Sequence, residues 1–138
     1  MQGSHPEKRM ILIAERDQNV RELQQYFLEK AGFEVAFADD GEAALERARS
    51  ARPAAVVTEI LIPRLDGLAL CRRLREDPLT AGVPVIVFSI LSAAARAAEA
   101  GASAFLRKPL VESVFVAAVT DLVAAQPTDV MEEQCPSR

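Results

Sequence analysis

The sequence predicts an α/β domain, a parallel sheet with helices on both faces, from three observations. Five short apolar runs are each followed by a stretch of helical periodicity, in strict alternation. The first of them, Met10-Ile11-Leu12-Ile13-Ala14, is apolar throughout, as a strand buried on both faces must be. Polar or charged residues follow the runs: Glu15 with Arg16 and Asp17, Glu59, Ser89 and Lys108. Parallel strands joined by right-handed crossovers bring such positions to one edge of the sheet, where open α/β folds bind their ligands.

Taken in order, the first strand gives way at Glu15-Arg16-Asp17 to a helix with Val20, Leu23, Phe27 and Ala31 at helical spacing. Asp17 or Asn19 is placed to cap its first turn and Gly32 to end it. Phe33 to Ala38 reads as the second strand. Asp39-Asp40-Gly41 then supplies a turn and cap before Ala44, Leu45 and Ala48 of the second helix. The third strand covers Ala54 to Glu59, and the helix after the Pro63/Gly67 loop carries Leu70, Cys71 and Leu74 on one face before Asp77-Pro78 breaks it. Pro84 to Phe88 forms the fourth strand and Leu91 to Ala100 an alanine-rich fourth helix stopped by Gly101. A short fifth strand, Ala104 to Leu106, leads through Lys108-Pro109 to the last helix, Val111 to Ala124, with Val111, Phe115, Ala118 and Leu122 as its core stripe.

At 138 residues the chain is one domain's worth, and 50% apolar with 26% charged residues is the balance of a protein that buries its own core. Residues 1–7 read as a tag-like or disordered N-terminus, 8–125 as the domain, and 126–138 as a flexible tail or the start of a linker. A net charge of −4 offers no long-range attraction for nucleic acid, so none is expected to bind the domain by itself. The apolar runs are too short to span a membrane and no apolar leader is present, which predicts no membrane association and a cytoplasmic location. Cys71 and Cys135 read as free thiols, and His5 has no second metal ligand near it.

With these residues in place the chain resembles the receiver domain of two-component response regulators over residues 8–125. The resemblance rests on Ile11 to Asp17, on Val56-Val57-Thr58-Glu59 followed by Pro63 and Asp66-Gly67, on Val85 to Ser89, and on Gly101 with Lys108-Pro109. It implies a flavodoxin-like fold with strand order 2-1-3-4-5, a phosphoacceptor aspartate after the third strand, and Mg2+ held by acidic residues after the first. It also implies a Ser and a Lys that read the phosphoryl group, a cis bond before Pro109, and an aromatic at Phe105 that swings as the domain switches. Ser89, Lys108 and Glu15 keep the family's residue types. Glu59 stands where the aspartate belongs, and Arg16 replaces the second acidic residue.

Both departures strike at phosphoryl transfer. An extra methylene displaces the carboxylate by about 1 Å, an error that costs about a hundredfold in an aligned displacement. A guanidinium at position 16 repels a cation and offers it no lone pair. The sequence therefore predicts a degenerate receiver with no catalytic residue, no cofactor and no bound metal, in which Glu59 pairs with Arg16 or Lys108. Asp17 remains open as a substitute ligand, although capping is its expected role. A conventional phosphoacceptor with a non-standard acidic site is the alternative. A flavodoxin-like redox protein is the second alternative, disfavoured because Glu15 to Asn19 is no flavin-phosphate loop.

The expected output is protein contact in two-component signalling. Between Ser89 and Lys108 the chain is about three residues shorter than the resemblance implies, which argues for a domain that does not switch. Phe105, Val116 and Val123 are read as an outward apolar face on the fourth helix, fifth strand and fifth helix, for a homodimer or a protein partner.

Overall fold

The computed structural model describes residues 8–126. The readings made for residues 1–7 and 127–138, with His5 and Cys135, lie outside the described residues. Ten elements alternate: β1 (Met10–Ala14), α1 (Gln18–Lys30), β2 (Glu34–Ala38), α2 (Gly41–Ala51), β3 (Ala55–Thr58), α3 (Gly67–Glu76), β4 (Val85–Ser89), α4 (Ala94–Glu99), β5 (Ala104–Arg107) and α5 (Glu112–Ala125). All strand pairs are parallel, and the order is β2-β1-β3-β4-β5.

Alternation along the strands divides the core into two layers. Leu12, Val56, Val85 and Val87 point to one face and pack with Leu45, Leu70, Cys71 and Leu74 of α2 and α3. Ile11, Ile13, Val57, Ile86 and Phe88 point to the other and pack with Leu28 of α1 and with Phe115, Val119 and Val123 of α5. β1, β3 and β4 are buried almost throughout, which is why their sequences are continuous apolar runs.

Local chemistry sets the helix ends. Asp17, Asp40 and Asp66 cap α1, α2 and α3 by accepting from Asn19 N and Val20 N, from Ala43 N, and from Ala69 N. Gly32, at φ 100°, turns the chain out of α1. The Arg75 guanidinium ties the carboxyl end of α3 to two loops. Its Nε donates to the Gly101 carbonyl at 2.8 Å, one terminal nitrogen to Val83 and Ala81 carbonyls at 2.6 and 3.1 Å, and the other to Ser103 Oγ at 3.2 Å.

Three helix readings need correction. In α1 the inward positions are Gln24 and Leu28, whereas Leu23 is 47% exposed; a buried glutamine broke the apolar stripe and shifted its apparent phase. In α4 only Ala94–Glu99 is helical, and no side chain caps its start at Ala93. In α5 the inward stripe is Phe115, Val119 and Val123, while Val111 is exposed. Val123 is therefore a core residue and not part of an outward face. A helix apolar on most sides gives no phase to read.

Candidate functional site

The carboxyl ends of β1, β3, β4 and β5 gather four side chains into one buried cluster. Glu59 follows β3, where β1 and β4 flank it, and only 5% of it is exposed. Its carboxylate bends back over its own chain: Oε2 accepts from Ile60 N at 2.6 Å and from Leu61 N at 3.0 Å. The same oxygen accepts from Ser89 Oγ, at the end of β4, at 2.5 Å. Oε1 lies 3.0 Å from Lys108 Nζ, which reaches in from the end of β5.

Lys108 bridges two carboxylates. Its Nζ is also 3.1 Å from Glu15 Oε2, and that oxygen in addition accepts from Asp17 N at 3.1 Å. Glu15 is 3% exposed, and its other oxygen, Oε1, is buried without a hydrogen bond. Burial alone pushes the Glu59 carboxyl up, but the Ser89 hydroxyl, the Leu61 N–H and Lys108 outweigh it and hold its pKa below the ordinary 4.5. For Lys108, burial pulls down while the bonds to Glu59 and Glu15 and their charges pull harder, leaving its pKa above 10.5. Glu59 and Lys108 are thus both charged at neutral pH, and the ammonium is shared with the Glu15 carboxyl.

The other predicted positions lie around this cluster. Of the two cations expected for Glu59, Lys108 is the one in place, whereas Arg16 is exposed and, among the described residues, makes no ion pair. Asp17 is exposed, with Oδ1 engaged at the α1 cap. The Lys108–Pro109 peptide is cis. Phe105 is partly buried and packs against the α2–α3 layer. Val116 instead lines a groove with Phe27 and Lys30 of α1. With Val123 in the core, Phe105, Val116 and Val123 form no common surface. The exposed apolar side chains here are Ile90, Val111 and Val114; the two valines line a cleft with Arg107, whose Nε donates to the Ile90 carbonyl at 3.0 Å.

Sequence reading missed Arg21, which fixes the first loop. Its Nε donates to the Glu15 carbonyl at 2.5 Å, and a terminal nitrogen reaches the Ala38 carbonyl and Asp39 Oδ1, each at 3.1 Å. One signal pointed to it. A cation in the opening turn of a helix opposes the macrodipole and implies partners beyond the helix. Gly67 and Gly41 were also undervalued: a Cβ at Gly67 would stand 2.2 Å from the Glu59 carbonyl oxygen, and one at Gly41 1.8 Å from that of Leu65.

The comparisons with known proteins agree with this fold. The family model described as the response regulator receiver domain matches residues 11–120. The chain belongs to the receiver domain family. Among curated relatives, the transcriptional regulatory protein CseB of Streptomyces avermitilis is 36% identical over 116 residues, covering 82% of this chain and 48% of that protein. The chain thus spans about half the length of the first curated relatives it matches. The crystal structure of the signal receiver domain of a signal transduction histidine kinase from Syntrophus aciditrophicus is 31% identical, with a TM-score of 0.81 over 88% of this chain and 95% of that one. The fold is shared at lower identity, 21% with a TM-score of 0.79, by the receiver domain of the sensor histidine kinase PA1611 of Pseudomonas aeruginosa, over 86% of this chain and all (100%) of that one. The chain is a receiver domain of the bacterial two-component type, and among its described residues no helix is long and apolar enough to cross a membrane.

Proposed function

We propose that this receiver domain works without a phosphorylation cycle, as a protein-interaction module whose pocket is neutralised from within. The observation that carries this reading is Lys108 Nζ, held 3.0 Å from Glu59 Oε1 and 3.1 Å from Glu15 Oε2. The lysine charge stands between the two carboxylates that a divalent ion would otherwise bridge. Glu59 has no idle oxygen for nucleophilic attack, since Oε2 takes three donors and Oε1 takes the ammonium.

The residues present also fit Mg2+ poorly. That ion asks for near-octahedral oxygen coordination at about 2.0–2.1 Å. In the PA1611 receiver a magnesium ion is coordinated in the active-site cleft. Here Arg16 offers no lone pair, Asp17 is engaged at a helix cap, and Lys108 holds one oxygen of each buried glutamate. One observation favours the second reading, a phosphoacceptor using Glu15, Asp17 and Glu59: the unbonded, buried Glu15 Oε1 is an acceptor that a cation would satisfy.

Output then falls to surface contact with a protein partner or a second copy, at the exposed Ile90, Val111 and Val114 beside β5 and α5. Labelling with acetyl phosphate and Mg2+, comparing wild type with Glu59→Asp and Arg16→Asp/Glu59→Asp, separates the two readings. Wild type is expected to stay unlabelled while the double substitution labels. Equal labelling would reject the phosphorylation-independent reading.

A further inference from the structure

The end of the molecule opposite Glu59 carries an unbalanced charge. At the amino edge of the sheet a cleft of about 380 Å³ is lined by Lys8 and Arg9, which lead into β1, by Arg52, which follows α2, and by Gln126, the last described residue. Among the described residues no carboxylate lines it. None of the three cations belongs to an ion pair among the described residues. Arg52 is held in the left-handed region, at φ 49°, by the turn that leaves α2.

The sequence continues from this cleft. Gln126 is anchored through its side-chain amide to the Gly82 carbonyl at 2.9 Å, so the described chain ends beside the three cations. The segment from Pro127 to Arg138 carries Asp129, Glu132 and Glu133 against a single arginine. Glu133 is seven residues past Gln126, and an extended chain covers about 3.3–3.6 Å per residue, so all three acids come within reach. We propose that the segment 127–138 docks in this basic cleft, with Asp129, Glu132 and Glu133 set against Lys8, Arg9 and Arg52. Exposed ion pairs are individually weak. Covalent attachment supplies an effective concentration of about millimolar, and three pairs act together. The cleft is at the opposite edge of the sheet from Glu59, so this docking is independent of whether the domain is phosphorylated.

A cysteine supplies the probe. Cys71 is fully buried in the core, so in the folded full chain a nitroxide reagent labels Cys135, two residues beyond Glu133. Paramagnetic broadening of amide resonances is expected at Lys8 to Met10 and at Arg52 and Ala54, several-fold above that at Ile90. It should be relieved in about 1 M NaCl, where the screening length falls to about 3 Å. Neutralising the segment itself, with Asp129→Asn, Glu132→Gln and Glu133→Gln, should relieve it equally while leaving the cleft and the fold untouched; Arg9→Glu with Arg52→Glu tests the other side. Broadening that is uniform, that centres on another face, or that survives both salt and neutralisation would overturn the proposal.

Discussion

Two loops meet at Glu59, and they are built to opposite specifications. The β3–α3 loop is fixed by its backbone. Gly67 N donates to the Ile60 carbonyl at 2.9 Å, Leu65 N and Gly41 N both donate to the Pro63 carbonyl, and the Glu59 carboxylate binds the next two amides along the chain. The space beneath Gly67 and Gly41 admits no Cβ. The β4–α4 loop is held by less: Leu91 N donates to Ser89 Oγ at 3.3 Å, Arg107 donates to the Ile90 carbonyl, and α4 begins without a side-chain cap. Ile90 projects 61% exposed. One wall of the site is rigid and the other is loosely tethered, so a change at Glu59 is transmitted through Ser89.

The comparison breaks most completely if the shared cation is removed. Lys108→Met leaves Glu15 and Glu59 buried without their shared cation, and should cost about 3–5 kcal/mol of unfolding free energy, read from urea denaturation at pH 7. Gly67→Ala attacks the rigid wall alone. Its Cβ meets backbone, which cannot swing aside, and a loss of about 2–4 kcal/mol is expected in the same assay. A loss below about 0.5 kcal/mol would show that the β3–α3 loop gives way.

Acid provides a third test. The folded pKa of Glu59 lies below its unfolded value, so its contribution is complete above about pH 4.5 and is lost as pH falls through the lowered folded value. Lys108 has the opposite sign: its contribution is complete below pH 10.5 and is lost as pH rises through its raised value. The urea midpoint should therefore fall more steeply below pH 4.5 in wild type than in Glu59→Gln. Equal slopes would remove Glu59 from the acid response. The smallest effect belongs to the loose wall, where Ile90→Ala should alter stability by less than about 0.5 kcal/mol.

Much of this was legible in the sequence, for physical reasons that differ by element. The three central strands announced themselves because burial on both faces makes β1, β3 and β4 apolar but for Thr58 and Ser89 at their carboxyl ends. The positions of Glu15, Glu59, Ser89 and Lys108 followed from parallel strands ending together. Helix phase was harder to read. Gln24 sits fully buried with neither amide atom bonded, where an apolar residue would have marked the inward face of α1. The choice between Arg16 and Lys108 was also hidden, since both are long side chains at strand ends; only the fold shows that one turns outward and the other inward.

The Arg75 guanidinium has a mechanical consequence for α4. It binds Gly101 and Ser103, just past the carboxyl end of that helix, and Val83 just before β4, while the amino end near Ser89 has no comparable fastening. Displacements of α4 that preserve those bonds are rotations about Gly101. The helix is a lever with its fulcrum at the carboxyl end, and six residues give it an arm of about 9 Å. A small shift at Ser89 is thus felt at the tip of that arm, Ala94, through the short loop on which Ile90 meets solvent.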